Sequence, residues 1–282
     1  MNELKKALNE SPVMRWSMMV LVSITMFANY YFYDALSPLK GTLETELGWT
    51  SGDYGFFMSI YSLPNVFLLM AVIGGIILDK LGIRITGFGF VAFMVLGSAL
   101  TAYGASNVYL AGGPGYDLMS SFLPDYSPSL KMMSLGFFFF GLGAETSIVV
   151  ITKIIVKWFK GKELALALGL NLAFGRLGMA GAMFFSPQIV ETNSHWYYSI
   201  WFGTLLLTVG LLTFLIYMMY DVKIDRQINY KLELDEDEEF KISDLGKLIT
   251  NRSFLFITLL CVTFYSAVFP FVKYAPDLLT NK

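Results

Sequence analysis

The stretch that decides the fold is GIILDKLGIR, residues 75–84, in which a short charged segment separates two long apolar stretches. Tyr54 to Leu78 on one side and Ile85 to about Ala105 on the other contain no charged residue. Each is long enough to cross about 30 Å of hydrocarbon, which takes roughly 20 helical residues. Gly75 and Gly82 allow a tight connection and a close approach of helices. The stretch therefore predicts two membrane-spanning helices joined by a short turn.

Seven apolar segments of this size are expected along the 282 residues, and Gly and Pro recur inside them, as is usual in membrane helices. The fold class is predicted to be all-α and polytopic. We expect a six-helix bundle over residues 1–221, a linker over 222–252, and a seventh transmembrane helix within 253–282. Apolar residues between Phe240 and Ile249 have the spacing of a short amphipathic helix in the linker. The six spans of the bundle are expected at about residues 16–38, 54–78, 85–105, 132–155, 164–190 and 196–220.

Composition excludes several classes of protein. Hydrophobic residues make up 55% of the chain and charged residues 15%, with a mean hydropathy of +0.58. Soluble domains contain about 45–50% apolar residues and about 25% charged residues. A net charge of -2 offers no basic face for nucleic acid, and one cysteine and one histidine are too few for a metal centre built on those residues. No P-loop or nucleophile elbow is present, so we expect no enzyme, cofactor or metal; the expected partners are the lipid bilayer and a small solute.

Lysine and arginine positions predict the orientation. With the N-terminus in the cytoplasm, fifteen of these residues fall on the cytoplasmic side and four on the outside, with Arg176 left in the membrane. No cleavable signal peptide is expected at the N-terminus. The external segment Asn107 to Leu130 is rich in Gly, Pro and Ser, which predicts a flexible cap.

Two charges inside the expected spans are the main candidates for binding. Glu145 lies 13 residues into the fourth span and Arg176 lies 12 residues into the fifth, so both are expected near the midplane. Because a charge there costs about 2.5–3.5 kcal/mol, both are expected to face the bundle interior. They can form a structural ion pair, or they can bind the two ends of a zwitterion. Gly169, Ala173 and Ala180 share the helical face of Arg176 and leave room for a ligand or a close helix.

Other polar side chains within the spans are weaker candidates for contact with a solute: Asn29, Tyr30, Tyr61, Asn65 and Tyr265. Tyrosines near a membrane boundary fit an aromatic belt equally well. Asp34 and Glu145 are candidate proton sites, because a carboxyl group hidden from water can hold a proton. Facilitated diffusion and proton symport both stay open.

The loop over residues 75–84 resembles the signature of the major facilitator superfamily, which reads roughly G-x-x-x-D-R/K-x-G-x-R/K. Six spans, a long charged linker and a further span also match a transporter built from two six-helix halves. This resemblance implies that Asp79 and Arg84 pair with each other or with helix ends of the opposite half, and that the missing C-terminal half is a partner. The residues that match the signature are Gly75, Asp79, Lys80, Gly82 and Arg84.

Narrower motifs resemble the major facilitator superfamily domain-containing protein 1 group. They are YSLPNV at 61–66 and CVTFYSAVFPF at 261–271, together with Glu145 and Arg176. Members of that group move dipeptides by alternating access. The resemblance implies a transporter for a short peptide or other zwitterion, with Glu145 and Arg176 holding the peptide termini. The N-terminus shows no acidic dileucine signal of the type used by lysosomal members, which predicts a plasma membrane or bacterial inner membrane.

Two alternatives stay open. The first is a transporter for a sugar, an organic anion or a drug-like compound, in which Glu145 and Arg176 form a structural pair. The second is a seven-helix membrane protein that transports nothing. Because a complete member of the superfamily has twelve spans, a chain that stops after the seventh is expected to be a fragment.

Overall fold

The computed structural model of the chain describes residues 8–193, 195–228 and 250–280. Every regular element in these ranges is a helix, which confirms the all-α fold class. The chain divides into two compact units, Met1–Ile224 and Asp225–Lys282. The helices are α1 (Pro12–Asp34), α2 (Lys40–Leu47), α3 (Ser51–Ile60), α4 (Leu63–Phe67), α5 (Met70–Gly104), α6 (Asn107–Leu110), α7 (Tyr116–Ser120), α8 (Pro128–Phe159), α9 (Leu164–Thr192), α10 (Tyr198–Ile228) and α11 (Arg252–Thr280).

Among the described residues, five helices are long and apolar enough to cross a membrane: α5, α8, α9, α10 and α11. Helix α1, with 23 residues, has the length but carries more polar side chains. Many of these, including Ser23, Thr25 and Asn29, are buried, so the bundle itself hides them from lipid. The first expected span is therefore a helix of the bundle interior.

The second expected span, 54–78, is not one continuous helix. It consists of α3, the short α4 and the first part of α5. Pro64 lies in the first turn of α4, and Leu69, just before α5, has a left-handed backbone with φ 50°. The side-chain oxygen of Asn65 accepts a hydrogen bond from the Ala71 N–H at 3.3 Å, which caps the start of α5. The break places a polar segment inside a span.

The chain reverses direction at Gly82, which has φ 77° and ψ 170° inside the helical stretch α5. A residue with a side chain rarely adopts this conformation, so glycine is required at the turn. The contacts that residues 61–104 make with α8 (Pro128–Phe159) show the reversal. Along this stretch, the contacted positions on α8 first shift towards its C-terminus and then shift back towards its N-terminus. In chain order, the contacts are Tyr61 with Gly141, Gly74 with Thr146, Gly97 with Gly136, and Gly104 with Met133. The expected hairpin is therefore present.

Helix pairs in the first unit approach closely through glycine. A Cβ atom added to Gly97 of α5 would lie 2.3 Å from the backbone nitrogen of Phe140 on α8. A Cβ atom on Gly178 of α9 would lie 2.2 Å from the carbonyl oxygen of Phe27 on α1. Small residues at such crossings are typical of membrane helices, because van der Waals contact drives their association. These two helix pairs contain Tyr30, Glu145 and Arg176 of the candidate site.

The segment between Asn107 and Leu130, expected to be a flexible cap, contains α6 and α7 and packs around a buried side chain. Tyr109 is fully buried and contacts Met119 and Met132. Burial raises the pKa of Tyr109 to about 12. The Gly and Pro content predicted a loop correctly, but the composition did not reveal this small apolar core.

The linker differs from its predicted start. Helix α10 continues to Ile228, beyond the expected end of the sixth span at residue 220. The predicted amphipathic helix between Phe240 and Ile249 and the acidic run at 235–239 lie outside the described residues. In the second unit, α11 is one helix of 29 residues that contains both Pro270 and Pro276.

Candidate functional site

A hydrogen bond joins the broken second span to the charged position in α8. The phenol of Tyr61 donates to Oε1 of Glu145 at 2.8 Å. Gly141, one helical turn before Glu145, lets the Tyr61 backbone come this close, since an added Cβ would lie 2.4 Å from the Tyr61 carbonyl oxygen. Glu145 is half-buried. Its carboxylate is thus oriented by the tyrosine while part of the side chain stays accessible.

Aromatic rings from three elements surround this pair. The ring of Tyr33, at the end of α1, lies 4.4 Å from the ring of Tyr61, centroid to centroid. Both rings also contact Phe137 of α8, at 6.4 Å and 5.8 Å. Tyr33 is a polar residue of the first span that lies three residues after Tyr30, which places both on one face of α1.

Arg176 of α9 contacts a different tyrosine of α1. Its guanidinium carbon is 5.8 Å from the centroid of the Tyr30 ring, within the range of a cation–π contact. Gly175 and Gly178 form the face of α9 that packs against α1, whereas Arg176 is exposed. A Cβ added to Gly169 meets nothing within 4 Å. The small-residue face that carries Arg176 is therefore open.

No ion pair joins Glu145 and Arg176 anywhere in the part of the chain that the structure describes. Tyrosines lie between the two charges instead. Tyr30 contacts Arg176, whereas the Tyr33 ring contacts Tyr61, which donates to Glu145. A carboxylate can accept hydrogen bonds from an ammonium group, and a guanidinium can bind a carboxylate through two parallel hydrogen bonds. The arrangement presents opposite charges separated by aromatic surface.

The remaining candidate residues have the following surroundings within their own units. Asn29 is buried within the bundle at 3% exposure, and Asp34 is fully buried at the end of α1. Asn65 caps α5, as described above, which gives it a structural role. Tyr265 belongs to the second unit, where its ring stacks on Phe269 at 5.0 Å. Within residues 8–193, 195–228 and 250–280, no group of three or more His, Cys, Asp or Glu residues is placed to hold a metal ion.

The charged residues of the 75–84 loop pair within the first unit. Asp79 forms an ion pair with Lys153 of α8 at 2.5 Å. Nε of Arg84 lies 3.3 Å from Oδ2 of Asp221, which belongs to α10. Lys80 is exposed, and a Cβ added to Gly75 would meet nothing within 4 Å. Of the two motif glycines, only Gly82 has a conformation that requires glycine.

Asp221 is the central residue of this loop network. It is 1% exposed, and its Oδ1 accepts hydrogen bonds from Lys157 at 2.8 Å and from the Tyr217 phenol at 2.7 Å. Sequence reasoning missed Asp221, Lys153 and Lys157. A usable signal existed, because Lys153 and Lys157 are four residues apart and share a helix face near the end of α8.

Comparison with known proteins agrees with this architecture. Residues 22–278 match the family described as Major Facilitator Superfamily. The lysosomal dipeptide transporter MFSD1 of Danio rerio is 28% identical over 267 residues, which cover 90% of this chain and 52% of the relative. The Homo sapiens protein of the same name is 26% identical over 278 residues, covering 95% and 54%. The chain thus spans about half the length of these relatives. It belongs to the major facilitator superfamily.

Proposed function

We propose that the chain provides the N-terminal half of an alternating-access transporter for a short peptide or another zwitterion. The observation that carries this proposal is that Glu145 and Arg176 each contact a tyrosine and form no bond with each other in the described part of the chain. The relatives named above are described as dipeptide transporters, and their low identity leaves the substrate of this chain a matter for experiment.

Each charge has a role that the geometry supports. Glu145 accepts the Tyr61 hydrogen bond on one carboxylate oxygen, and its half-buried position leaves it able to accept an ammonium group. Arg176 is exposed and is restrained by the Tyr30 ring, so its planar fork is available for a carboxylate. A zwitterion would satisfy both charges at once, and the phenol rings between them would contact its backbone.

The sharpest test removes one charge from the peptide and its partner from the protein. Uptake of a labelled dipeptide, its N-acetylated form and its C-amidated form is measured in proteoliposomes that contain the complete gene product. In the native protein we expect strong preference for the free dipeptide. Glu145→Gln should remove the discrimination against N-acetylation alone, and Arg176→Gln should remove the discrimination against amidation alone. Such paired changes isolate one interaction each.

Two results would reject the proposal. If both variants discriminate as the native protein does, Glu145 and Arg176 do not hold the termini. If no peptide is taken up but a sugar, organic anion or drug-like compound is, the substrate class is wrong. Absence of any uptake, together with a stable folded seven-helix product, would favour the non-transporting alternative.

Glu145 is also the better-placed of the two candidate proton carriers, because it is half-buried and Asp34 is fully buried. A carrier must exchange protons with water during each cycle. Uptake measured with and without a pH gradient tests this role. Proton symport predicts stimulation by an inward gradient and its loss in Glu145→Gln, whereas facilitated diffusion predicts equal rates.

The orientation and the membrane are proposals as well. The positively charged ends of α1, α8 and α9 support a cytoplasmic N-terminus by the positive-inside rule. The relatives are described as lysosomal transporters, which gives no support to the expected plasma membrane or bacterial inner membrane. Imaging of a tagged chain against lysosomal and plasma-membrane markers tests the location. Labelling of Lys160→Cys in a Cys261→Ala background by an impermeant thiol reagent tests the orientation.

A further inference from the structure

A second site lies at the end of the bundle away from the 75–84 loop. Residues of α3, α7 and α8 and the segment after α7 enclose a groove of about 250 Å³, which we call the Lys131 groove. Its walls are apolar and include Phe56, Leu123, Leu135 and Phe138. The Phe56 ring stacks on Tyr126 at 5.1 Å to form one side. Pockets for whole drug-sized ligands measure about 300–1,000 Å³, so this groove suits one part of a larger, flexible molecule.

Lys131 gives this apolar groove a positive charge. The side chain is almost fully buried, at 8% exposure, and its ammonium donates to the carbonyl oxygens of Phe122 at 2.6 Å and Leu123 at 3.2 Å. No carboxylate within the described ranges lies within 4 Å of it. By contrast, the buried Arg15 and Lys40 are each paired with a glutamate, at 3.0 Å and 2.8 Å. A buried cation without a counter-ion is costly, which points to an anion supplied from outside.

The position of Lys131 in its helix strengthens this argument. It lies in the first turns of α8, where the helix dipole is positive and disfavours a cation. The same dipole attracts an anion to this end of the helix. Leu123, whose carbonyl receives one of the ammonium hydrogen bonds, has a left-handed backbone with φ 47°, a conformation that is rare outside glycine. Several unfavourable features therefore coincide at one groove.

Ser134 supplies an independent observation. It is 7% exposed, it lines the groove one turn after Lys131, and its hydroxyl has no hydrogen-bond partner. Buried hydroxyl groups are nearly always bonded, so an unused one beside a cation indicates a missing polar ligand. The α8 helix has 32 residues, more than the hydrocarbon core requires, so its first turns fall at a membrane boundary. Lipid headgroups occupy that level.

We propose that the Lys131 groove binds an anionic lipid, with one acyl chain along the apolar walls and the carboxylate or phosphate on Lys131 and Ser134. The acyl chain continues into the bilayer, which explains why a groove of 250 Å³ is sufficient. The headgroup completes the hydrogen bonds of the ammonium and the hydroxyl. This site is separate from the proposed peptide site, which uses neither residue.

Photo-crosslinking in membranes from cells that express the chain tests the proposal. The probes are a diazirine-labelled fatty acid, the matching fatty alcohol, phosphatidylglycerol and phosphatidylcholine, with labelled peptides mapped by mass spectrometry. We expect labelling within residues 119–138 and a preference for the fatty acid over the alcohol of about tenfold, the effect of 1.4 kcal/mol. Preference for phosphatidylglycerol over both the fatty acid and phosphatidylcholine would identify a phospholipid as the source.

Variants separate binding from folding. Lys131→Met should abolish the preference for the acid, Ser134→Ala should reduce it, and Leu135→Trp should block labelling by filling the groove. The matched controls are Lys160→Met, an exposed lysine at the other end of α8, and Ser199→Ala, which removes another buried hydroxyl without a partner. Both should label as the native chain does. The proposal would be overturned if the acid labels no more than the alcohol and phosphatidylglycerol no more than phosphatidylcholine, if Lys131→Met leaves the preference for the anionic probe unchanged, or if no probe labels the groove.

Discussion

Tyr61 donates a hydrogen bond to Glu145 from a break in the second membrane span. A phenol directly after the end of α3 is thus connected to the one carboxylate within the apolar part of α8. Because Tyr61 lies between α3 and α4, a movement of either helix changes this bond. The pair therefore couples the conformation of the broken span to the proposed ligand-binding charge.

Replacement of the phenol tests this relationship. Tyr61→Phe keeps the ring contacts with Tyr33 and Phe137 but leaves Glu145 without its donor. Hydrogen bonds to charged groups contribute about 1.5–3 kcal/mol, so we expect a loss of peptide affinity of about tenfold or more. Affinity is measured by thermal shift against peptide concentration. Tyr103→Phe is the control, since it removes a phenol that donates to the Pro114 carbonyl oxygen at 3.1 Å. Equal losses of peptide affinity in Tyr61→Phe and Tyr103→Phe would contradict a specific role of the Tyr61–Glu145 bond.

Gly82 and Gly75 belong to the same motif but are expected to respond differently to substitution. Gly82→Ala forces a side chain into a conformation with φ 77°, so we expect destabilisation of about 1–3 kcal/mol. Gly75 is helical and has free space, so Gly75→Ala should be neutral or stabilise by up to about 1 kcal/mol. Heating followed by size-exclusion chromatography measures both. A similar loss in the two variants would show that the motif glycines act through packing and not through the turn.

The hairpin at Gly82 could be predicted because its signals are local: two apolar lengths and a few charged residues between them. The break at residues 61–69 could not, although Pro64 hinted at it, because its shape depends on Gly141 of another helix. The sequence also did not reveal the ion-pair partners of Asp79 and Arg84. Lys153 lies 74 residues from Asp79 along the chain, and only the close packing of α5 on α8 brings them together.

The candidate site also combines residues that could be predicted from the sequence with contacts that could not. Glu145 and Arg176 could be identified because each is a charged residue near the middle of an apolar span, where an ionised group must be accommodated by the protein. A direct ion pair between these two residues, one of the two arrangements that the sequence left open, does not occur in the described part of the chain, where Arg176 lies beside Tyr30 of α1. Phe137 could not be singled out, since aromatic residues are common in every span and carry no distinguishing local pattern.

Asp221 should matter far more for stability than Asp79. Asp221→Asn removes the negative charge that lies between Arg84 and Lys157, in a site that is 1% exposed. The loss of one partner from a buried pair costs about 3–5 kcal/mol. Asp79→Asn affects a pair whose side chains are 26% and 36% exposed, so about 0–1 kcal/mol is expected. Loss of monodisperse protein on heating measures both variants, and an equal shift for the two would refute the buried network.

The start of α1 is held to the loop between α8 and α9 by a contact that should respond to acid. Arg15 is 4% exposed, donates to the Asn9 carbonyl at 3.0 Å and pairs with Glu163 at 3.0 Å. The Glu163 backbone N–H and the Arg15 guanidinium hold the pKa of the Glu163 carboxyl below its usual range. The native state thus favours the charged form. Its contribution to stability is complete above the ordinary pKa of about 4.3 and is lost as the pH falls through the lower native value.

Glu163→Gln should therefore be less stable than the native chain at pH 7, and the difference should shrink below about pH 4.3. High salt should also reduce it, because the Glu163 side chain is 49% exposed. Thermal stability measured from pH 3 to 7 for both proteins gives this difference directly. Glu46→Gln, which changes an exposed glutamate in α2, is the matched control for the loss of one carboxyl group. A gap between native and Glu163→Gln that widens on acidification would have the wrong sign for a lowered carboxyl pKa and would exclude the Arg15 pair as its cause.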